Sequence, residues 1–175
     1  FDELKELEEG TGFVLSNSPT QTVGYVVNDK FAKVQHTKPL LSLDKTQDIQ
    51  KFIEFCSVSP VLLMWKVDGL TIKLHYNDGR LVQASTRGNG TEGDDITTNA
   101  KYFENIPLTI PINDNIIIEG EAIITKDDFV KINANLPEDK KFKNARNLAS
   151  GSVKQLDTKI VQSRHVKFLC WNAND

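Results

Sequence analysis

The residue that this sequence places best for chemistry is Lys66, a lysine inside the apolar run 61–67 and followed by Asp68 and Gly69. A lysine amine has a pKa of about 10.4 in water, so it becomes a nucleophile only where burial or neighbouring cations favour its neutral form. The run predicts a strand, in which Asp68 points to the same face as Lys66 and can orient its amine. The alternative is a lysine whose stem packs on apolar neighbours while its charged end pairs with Asp68 in solvent.

The charge of the chain is divided unevenly along its length. The 175 residues hold 21 Lys and Arg against 24 Asp and Glu, a net charge of -3. Residues 126–167 hold ten Lys and Arg and five Asp and Glu, a net of +5, which leaves -8 on the remaining residues. A basic segment on an acidic body is the asymmetry expected of a protein that meets phosphates with one face. The alternative is a lysine-rich surface that is only solvated.

The elements that must position these residues are typical of an α+β fold with a mainly antiparallel sheet flanked by helices. Apolar and polar residues alternate over 70–76, and Asn-Asp-Gly at 77–79 turns the chain into a second strand, which predicts a β-hairpin. Glycines predict a loop over 87–95, and 13–43 is predicted as an extended connecting loop. The remaining predicted elements are strands at 116–124 and 165–172 and helices at 2–9, 46–56, 96–103, 126–135 and 145–156.

The composition excludes several classes of protein. Hydrophobic residues make up 39% and charged residues 26% of the chain, which is typical of a soluble globular protein rather than a disordered one. No apolar run approaches the roughly 20 residues of a membrane-spanning helix. The two cysteines, Cys56 and Cys170, are too few for a disulfide framework or a four-thiolate zinc site, so we expect a cytoplasmic protein.

A series of short motifs follows the order and the gaps of a known family. The motifs are Ser-Pro-Thr at 18–20, Pro-Leu-Leu-Ser-Leu-Asp at 39–44, Lys-Val-Asp-Gly at 66–69, Thr-Arg-Gly-Asn-Gly at 86–90, Gly-Glu at 120–121 and Asn-Ala-Arg-Asn-Leu-Ala-Ser-Gly-Ser at 144–152. The series resembles the adenylation domain of bacterial NAD⁺-dependent DNA ligases, over essentially the whole chain. The resemblance implies a nucleotidyltransferase fold, ATP-grasp-like and incomplete at its C-terminal end.

The resemblance also implies a reaction and the residues that carry it. In that family the lysine of Lys-x-Asp-Gly attacks NAD⁺, releases nicotinamide mononucleotide and keeps AMP, which then passes to the 5′-phosphate of a DNA nick. Lys66 matches this nucleophile, and Asp68 belongs to the same catalytic motif. The other matching positions are Arg87 for the nucleotide, Glu121 for the ribose hydroxyls, Ser42 and Leu43 for the wall of the NAD⁺ site, Met64 for adenine, and Arg146 and Lys154 for phosphates.

Partners and boundaries follow from the same resemblance. Mg²⁺ is expected with the nucleotide, although no protein ligand is assigned to it. The full-length enzyme is expected to act on nicked double-stranded DNA as a monomer, without a membrane. Residues 1–12 match the end of a small helical domain that grips the nicotinamide half, and 13–175 match part of the adenylation domain. We therefore expect weak or no activity from the isolated chain.

Met64 motivates an alternative from a different class. Most members of the family have a glutamate at this position, where the adenine base is met, and a thioether cannot hydrogen-bond as a carboxylate does. The alternative is a non-catalytic nucleotide- or DNA-binding remnant of a ligase. A third interpretation is an ATP-dependent ligase or a capping-type nucleotidyltransferase, which share the lysine motif, but the motifs at 18–20 and 39–44 disfavour it.

Other conspicuous residues are interpreted as structural. His36 is assigned a structural role. Phe168 and Trp171 are assigned to the core rather than to a platform on which a base stacks.

Overall fold

The helices begin where polar side chains cap their first turns. The computed structural model describes residues 2–14, 18, 20, 30–40 and 44–174. Asp48, Thr125, Asn144 and Asp157 each accept hydrogen bonds from backbone N–H groups of the helix that follows, which supplies partners for groups that the helix itself leaves unpaired. The helices are α1 (Asp2–Thr11), α2 (Ile49–Val58), α3 (Thr97–Ala100), α4 (Lys126–Ala134), α5 (Ala145–Val153) and α6 (Thr158–Ser163), with a 3₁₀ turn at Glu138–Lys140.

Most of the predicted helices are confirmed, with ends that shift by a few residues. The predicted helix at 96–103 is shorter, since only Thr97–Ala100 is α-helical. Helix α6 was not predicted, because six residues make less than two turns and give little periodicity. In the part of the chain that the structure describes, no helix combines the length and the apolarity needed to cross a membrane.

A four-stranded antiparallel sheet is the largest element of the fold. Its strands are β2 (Leu70–Asn77), β3 (Arg80–Thr86), β5 (Ile116–Ile123) and β6 (Lys167–Asn174), and their order across the sheet is β3-β2-β5-β6. The predicted hairpin joins β2 to β3 through Asp78 and Gly79, whose φ angles are 49° and 69°. Positive angles suit a tight hairpin turn, and Asp and Gly tolerate them. The α+β class with antiparallel pairing is thus confirmed.

The hydrophobic core lies on one face of this sheet. Ile72, Leu74 and Tyr76 of β2 are at most 1% exposed, and α5 packs against β2 and β5. Leu148 and Val153 of α5 are fully buried in the same cluster. Because side chains alternate across a strand, the polar residues between the apolar ones of β2 face the opposite side, where the cleft described below opens.

A second sheet pairs β1 (Lys33–Gln35) with β4 (Glu92–Asp94). These strands lie in segments predicted as loops, so both predictions were wrong at these residues. Strands of three residues show almost no alternation, and their partners are far apart in sequence. His36 follows β1 and is buried, with Nε2 at 3.1 Å from the carbonyl oxygen of Thr86 and 3.2 Å from that of Arg87. The imidazole of His36 therefore connects the end of β1 to the end of β3.

The apolar side chains of α2 and of the following segment face solvent. No residue of α2 is buried, and Leu63 and Trp65 are 90% and 93% exposed. The segment 60–68 forms neither helix nor strand, so the strand predicted at 61–67 was wrong. An apolar run becomes a strand only where a neighbouring backbone pairs with it, and no described residue does so here.

Candidate functional site

Six of the predicted site residues line one cleft. The cleft has a volume of about 620 Å³ and lies where the segment before β2 meets β5, β6 and α5. Its walls include two carboxylates, three cations and the apolar surfaces of two tryptophans, Trp65 and Trp171. The predicted residues that it brings together are Met64, Lys66, Asp68, Arg87, Glu121 and Arg146.

Close backbone packing positions Lys66 beside β5. Three residues after the lysine, a Cβ atom on Gly69 would overlap the carbonyl oxygen of Ala122 and the side chain of Ile123. Only glycine allows the chain to approach this closely as it enters β2. The Lys-Val-Asp-Gly segment therefore passes directly over the strand that carries Glu121.

The register of the sheet places Arg87 and Glu121 on either side of Thr71. Thr71 of β2 lies directly opposite Glu121 of β5. On the other side, the backbone N–H of Arg87, the residue that follows β3, donates to the carbonyl oxygen of Thr71 at 3.0 Å. Three residues that are far apart in sequence thus form one row across the sheet, at the end nearest Lys66.

Glu121 has one satisfied oxygen and one free oxygen. Its Oε1 accepts a hydrogen bond from Oγ1 of Thr71 at 3.1 Å. Its Oε2 is buried and has no hydrogen-bond partner among the described residues. Burial raises the pKa of the Glu121 carboxyl, against the lowering effects of Thr71 and of the cations Lys66, Arg146 and Arg87. A buried acceptor without a partner is costly to the stability of the fold.

Asp68 pairs with Arg146 rather than with the lysine beside it. Nη1 of Arg146 donates to Oδ1 of Asp68 at 2.8 Å, and both side chains are more than half exposed. The pair joins the start of β2 to the first turn of α5. An exposed pair contributes little to stability, on the order of 0–1 kcal/mol. Its main effect is to hold the guanidinium at the mouth of the cleft.

Lys66 is exposed, and its charged end does not pair with Asp68, which pairs with Arg146. Its neighbours Met64 and Trp65 are 47% and 93% exposed. The run that holds Lys66 pairs with no described strand. The amine is left at the surface of the cleft.

Lys154 lies apart from the cleft in an ion-pair cluster. Its Nζ is 2.7 Å from Oδ2 of Asp94, whose Oδ1 is 2.6 Å from Nζ of Lys33. Hydrogen bonds from Lys154 and then Lys33 lower the pKa of the Asp94 carboxyl. Lys154 thus links α5 to the small sheet. Ser42 and Leu43, the other two predicted site residues, lie outside the described residues.

Thr71 and Trp171 are among the residues of the cleft wall that were not predicted from the sequence. Thr71 was seen only as a polar position of a strand, because its contact with Glu121 depends on the pairing of β2 with β5. Trp171 was assigned to the core, whereas it is half-buried and lines the cleft. The pairing of β5 with β6 runs from Glu119–Asn172 to Gly120–Cys170, which leaves Trp171 without a partner. Such a bulge re-aims a side chain and breaks the alternation on which the assignment rested.

The arrangement suits a ligand with phosphate, hydroxyl and flat-ring parts. Cations neutralise phosphate, a half-satisfied carboxylate accepts a hydroxyl, and an indole stacks on a planar ring. The buried aromatic Phe168, by contrast, belongs to the core as predicted. Among the described residues, no group of three or more His, Cys, Asp or Glu side chains is placed to hold a metal ion.

Comparison with known proteins gives consistent matches. The family model of the NAD-dependent DNA ligase adenylation domain matches residues 28–175. The DNA ligase of Lachnoclostridium phytofermentans is 50% identical over 172 residues, which are 98% of this chain and 26% of that protein. The DNA ligase of Ruminiclostridium cellulolyticum is 51% identical over 169 residues, 96% of this chain and 26% of that protein. The DNA ligase of Helicobacter acinonychis is 40% identical over 186 residues. The chain spans about a quarter of the length of these relatives.

Proposed function

We propose, from the premise that this chain belongs to the NAD-dependent DNA ligase adenylation domain family, that its cleft binds NAD⁺ and that Lys66 takes up the adenylyl group. The observation that carries the proposal is the meeting of Lys66, Arg87, Glu121 and Arg146 in one cleft. These residues come from four separate segments of the chain. A surface lysine without a function would not need to lie in one cleft with two arginines and a glutamate.

The walls of the cleft offer a partner for each part of an adenosine nucleotide. The carboxylate of Glu121, on the cleft wall, accepts a ribose hydroxyl. Arg87 and Arg146 neutralise phosphate oxygens with their planar guanidinium groups. The indole of Trp171 stacks on adenine, a contact worth about 1–3 kcal/mol per base in proteins that bind single strands. Met64 packs on the same base without a hydrogen bond.

In the proposed step, the neutral Nζ of Lys66 attacks the adenylyl phosphorus of NAD⁺. A nitrogen–phosphorus bond forms, the phosphorus–oxygen bond to nicotinamide mononucleotide breaks, and the amine loses a proton to solvent. Transfer of this kind depends mostly on positioning and on neutralising charge. Arg87 and Arg146 supply the neutralisation, and Glu121 fixes the ribose. AMP then passes from Lys66 to the 5′-phosphate of a nick, and the 3′-hydroxyl displaces it.

The activity of a whole ligase belongs to the same proposal, because the relatives of this chain are named as DNA ligases. We propose nicked double-stranded DNA as substrate, a monomer, a cytoplasmic location, a nucleotidyltransferase fold, and a boundary after residue 12 between a nicotinamide-gripping domain and the adenylation domain. Ser42 and Leu43 would line the NAD⁺ site, and Lys154 would reach phosphates once released from Asp94. The described residues offer Mg²⁺ no ligand cluster, so no step is assigned to the metal.

The lysine adduct can be tested directly by mass spectrometry. The full gene product is incubated with NAD⁺ and Mg²⁺, and we expect one added AMP, located on Lys66 by peptide mapping. Lys66→Ala removes the adduct, whereas Lys51→Ala, a substitution on the exposed surface of α2, keeps it. An adduct that persists in Lys66→Ala would refute the assignment. ATP in place of NAD⁺ is expected to give no adduct.

A second candidate, a nucleotide-binding remnant without catalysis, is favoured by Met64 on the cleft wall. Experiments on the same full gene product distinguish the ligase from the remnant. Calorimetry that shows binding of NAD⁺ and AMP, together with spectra that show no adduct under any condition, supports the remnant. An adduct on Lys66 rules it out.

A further inference from the structure

The backbone of Arg87 is held from two other parts of the fold. Its N–H donates to the carbonyl oxygen of Thr71 on β2 at 3.0 Å. Its carbonyl oxygen lies 3.2 Å from Nε2 of His36, the residue that follows β1. The N–H of Gly90 also donates to this oxygen at 3.0 Å, but that bond only closes the turn to which Arg87 belongs. Because the first two contacts lie on either side of Cα, they restrain both backbone dihedral angles and so the direction in which the side chain leaves.

The position of the Arg87 guanidinium depends on this backbone. Arg87 lines the cleft, and no carboxylate of the described residues lies within ion-pair distance of its guanidinium. A long side chain without an ion pair keeps much of its rotamer freedom. A guanidinium meets phosphate through a planar pair of N–H groups, which requires a defined direction of approach. A shift of the backbone at Arg87 would therefore weaken its contact with a phosphate.

His36 is itself held in place. It is buried, and its backbone N–H donates to the carbonyl oxygen of Thr91 at 2.8 Å. The imidazole fits because Gly93 has no side chain. A Cβ atom on Gly93 would lie 1.8 Å from the carbonyl oxygen of Thr86 and 3.1 Å from Nε2 of His36. The pairing of β1 with β4 thus brings the imidazole to the end of β3.

The imidazole of His36 carries its proton on Nε2. Both neighbours of Nε2 are carbonyl oxygens, which only accept hydrogen bonds, so Nε2 is the donor. Nδ1 is buried and has no hydrogen-bond partner among the described residues. Burial, and then the charge of Lys73, lower the pKa of His36, against the raising effects of the two carbonyls and of Glu119. The ring is therefore neutral, and its one N–H is shared between the carbonyl oxygens of Thr86 and Arg87.

We propose that His36 is a positioning residue that aims Arg87 at the phosphate of the bound nucleotide. The link runs from the Nε2–H of His36 through the backbone of Arg87 to its guanidinium in the cleft. A histidine with only a structural role would stabilise the fold, whereas this one also sets the affinity of the cleft for phosphate. The inference rests on the proposed function, since the nucleotide is the source of the phosphate.

The first test compares AMP with adenosine by calorimetry, because only AMP carries a phosphate. The full gene product is used as Lys66→Ala, so that it carries no covalently bound AMP. His36→Gln can place an amide donor near the position of Nε2, whereas His36→Met has a similar length and no donor. We expect His36→Met to lose about tenfold of the preference for AMP over adenosine, with the affinity for adenosine unchanged. His36→Gln should keep most of the preference.

His75→Met is the matched control, because His75 lies on β2 toward the hairpin turn and away from Arg87. It should leave the affinities for AMP and adenosine as they are in the parent. A full preference for AMP in His36→Met would overturn the proposal. Equal losses for AMP and adenosine would overturn it too, since they indicate damage to the fold as a whole.

A double-mutant cycle shows whether His36 acts through Arg87. Arg87→Met removes the guanidinium and should remove most of the preference for AMP. If His36 acts only by aiming that group, the addition of His36→Met to Arg87→Met should change the preference no further. A second loss of about tenfold in the double variant would contradict the proposal, because His36 would then act on the phosphate by another route.

Two measurements without ligand separate this proposal from the proposed function. Nitrogen-15 NMR of the parent should place the imidazole proton of His36 on Nε2, and a proton on Nδ1 alone would refute the positioning role even if no variant folds. Hydrogen exchange of the Arg87 amide should be faster in His36→Met than in the parent or in His75→Met, and unchanged exchange would also refute that role. If both expectations hold in a protein that binds neither nucleotide, the proposed function is overturned, and the phosphate part of this inference with it.

Discussion

Glu121 carries a cost to the stability of the fold and, in the proposed function, the contact with the ribose. Burial raises its pKa, so the folded protein holds a proton on this carboxyl more readily than the unfolded chain does. Folding is thus favoured by Glu121 at low pH, and this contribution is lost as pH rises through the raised pKa. At neutral pH the ionised carboxylate destabilises the fold. The same ionised form is the better acceptor for a ligand hydroxyl.

Glu121→Gln is therefore expected to stabilise the protein and to weaken nucleotide binding. Urea unfolding should give a higher free energy of unfolding for the variant at neutral pH. The difference should shrink at about pH 4, where the parent carboxyl is also neutral. Affinity for AMP should fall in the variant, and in the parent it should fall as pH drops through the raised pKa of Glu121. Glu54→Gln on the exposed surface of α2 is the control, and a destabilised Glu121→Gln would contradict this account.

At the scale of elements, one carboxylate joins both strands of the small sheet to the end of α5. Asp94 of β4 pairs with Lys33 of β1 and with Lys154 at the end of α5. The carboxylate is 14% exposed, whereas the lysines are 59% and 44% exposed, so solvent screens both pairs. β1, β4 and the end of α5 are joined through these charges.

Asp94→Asn is expected to lower the free energy of unfolding by about 1 kcal/mol, the range of partly exposed ion pairs. The lowered pKa of Asp94 means that its stabilisation is present above the ordinary aspartate pKa and is lost as pH falls through the lowered value. The variant and the parent should therefore converge in acid. Urea unfolding of the variant and the parent over this pH range measures the difference in their free energies of unfolding. Asp114→Asn, at an exposed position, should show no difference, and an equal effect of both substitutions would exclude the proposed link.

At the scale of the whole molecule, charge and apolar surface are both distributed unevenly. The basic segment 126–167 has less unpaired positive charge than its +5 net charge indicates. Its residues Arg146, Lys154 and Lys167 pair with carboxylates outside the segment, those of Asp68, Asp94 and Glu104. The apolar surface is concentrated on α2 and on the segment before Lys66.

Charging that surface should leave the fold intact. For the double variant Phe55→Glu and Leu62→Lys, we expect a free energy of unfolding within about 0.5 kcal/mol of the parent, because both side chains are largely exposed. Size-exclusion chromatography of the chain should show less self-association. Leu74→Glu, a charge in the core, should unfold the protein. A large loss of stability in the double variant would show that these side chains are buried in solution.

The sequence by itself determined the elements that depend on near neighbours and the identity of the chemical groups. The alternation at 70–76, the turn at Asp78 and Gly79 and the five predicted helices all depend on contacts within a few residues, and the structure confirms them. The spaced motifs also named the six residues that the cleft brings together. Such motifs can be recognised in a sequence because few other residues can replace a glycine in a tight backbone, or a lysine or a carboxylate in a binding site.

Only the tertiary structure decided which residues these chemical groups contact. Because β2 pairs with β5, one carboxylate oxygen of Glu121 accepts a hydrogen bond from Thr71. The bulge in β6 directs the side chain of Trp171 into the cleft. The pairing of β1 with β4 and the capture of Lys154 by Asp94 join residues far apart in sequence. Among the described residues no strand pairs with 61–67, and Lys66 is therefore exposed. Each outcome depends on which distant backbone lies alongside, and a single strand's pattern of side chains does not contain that information.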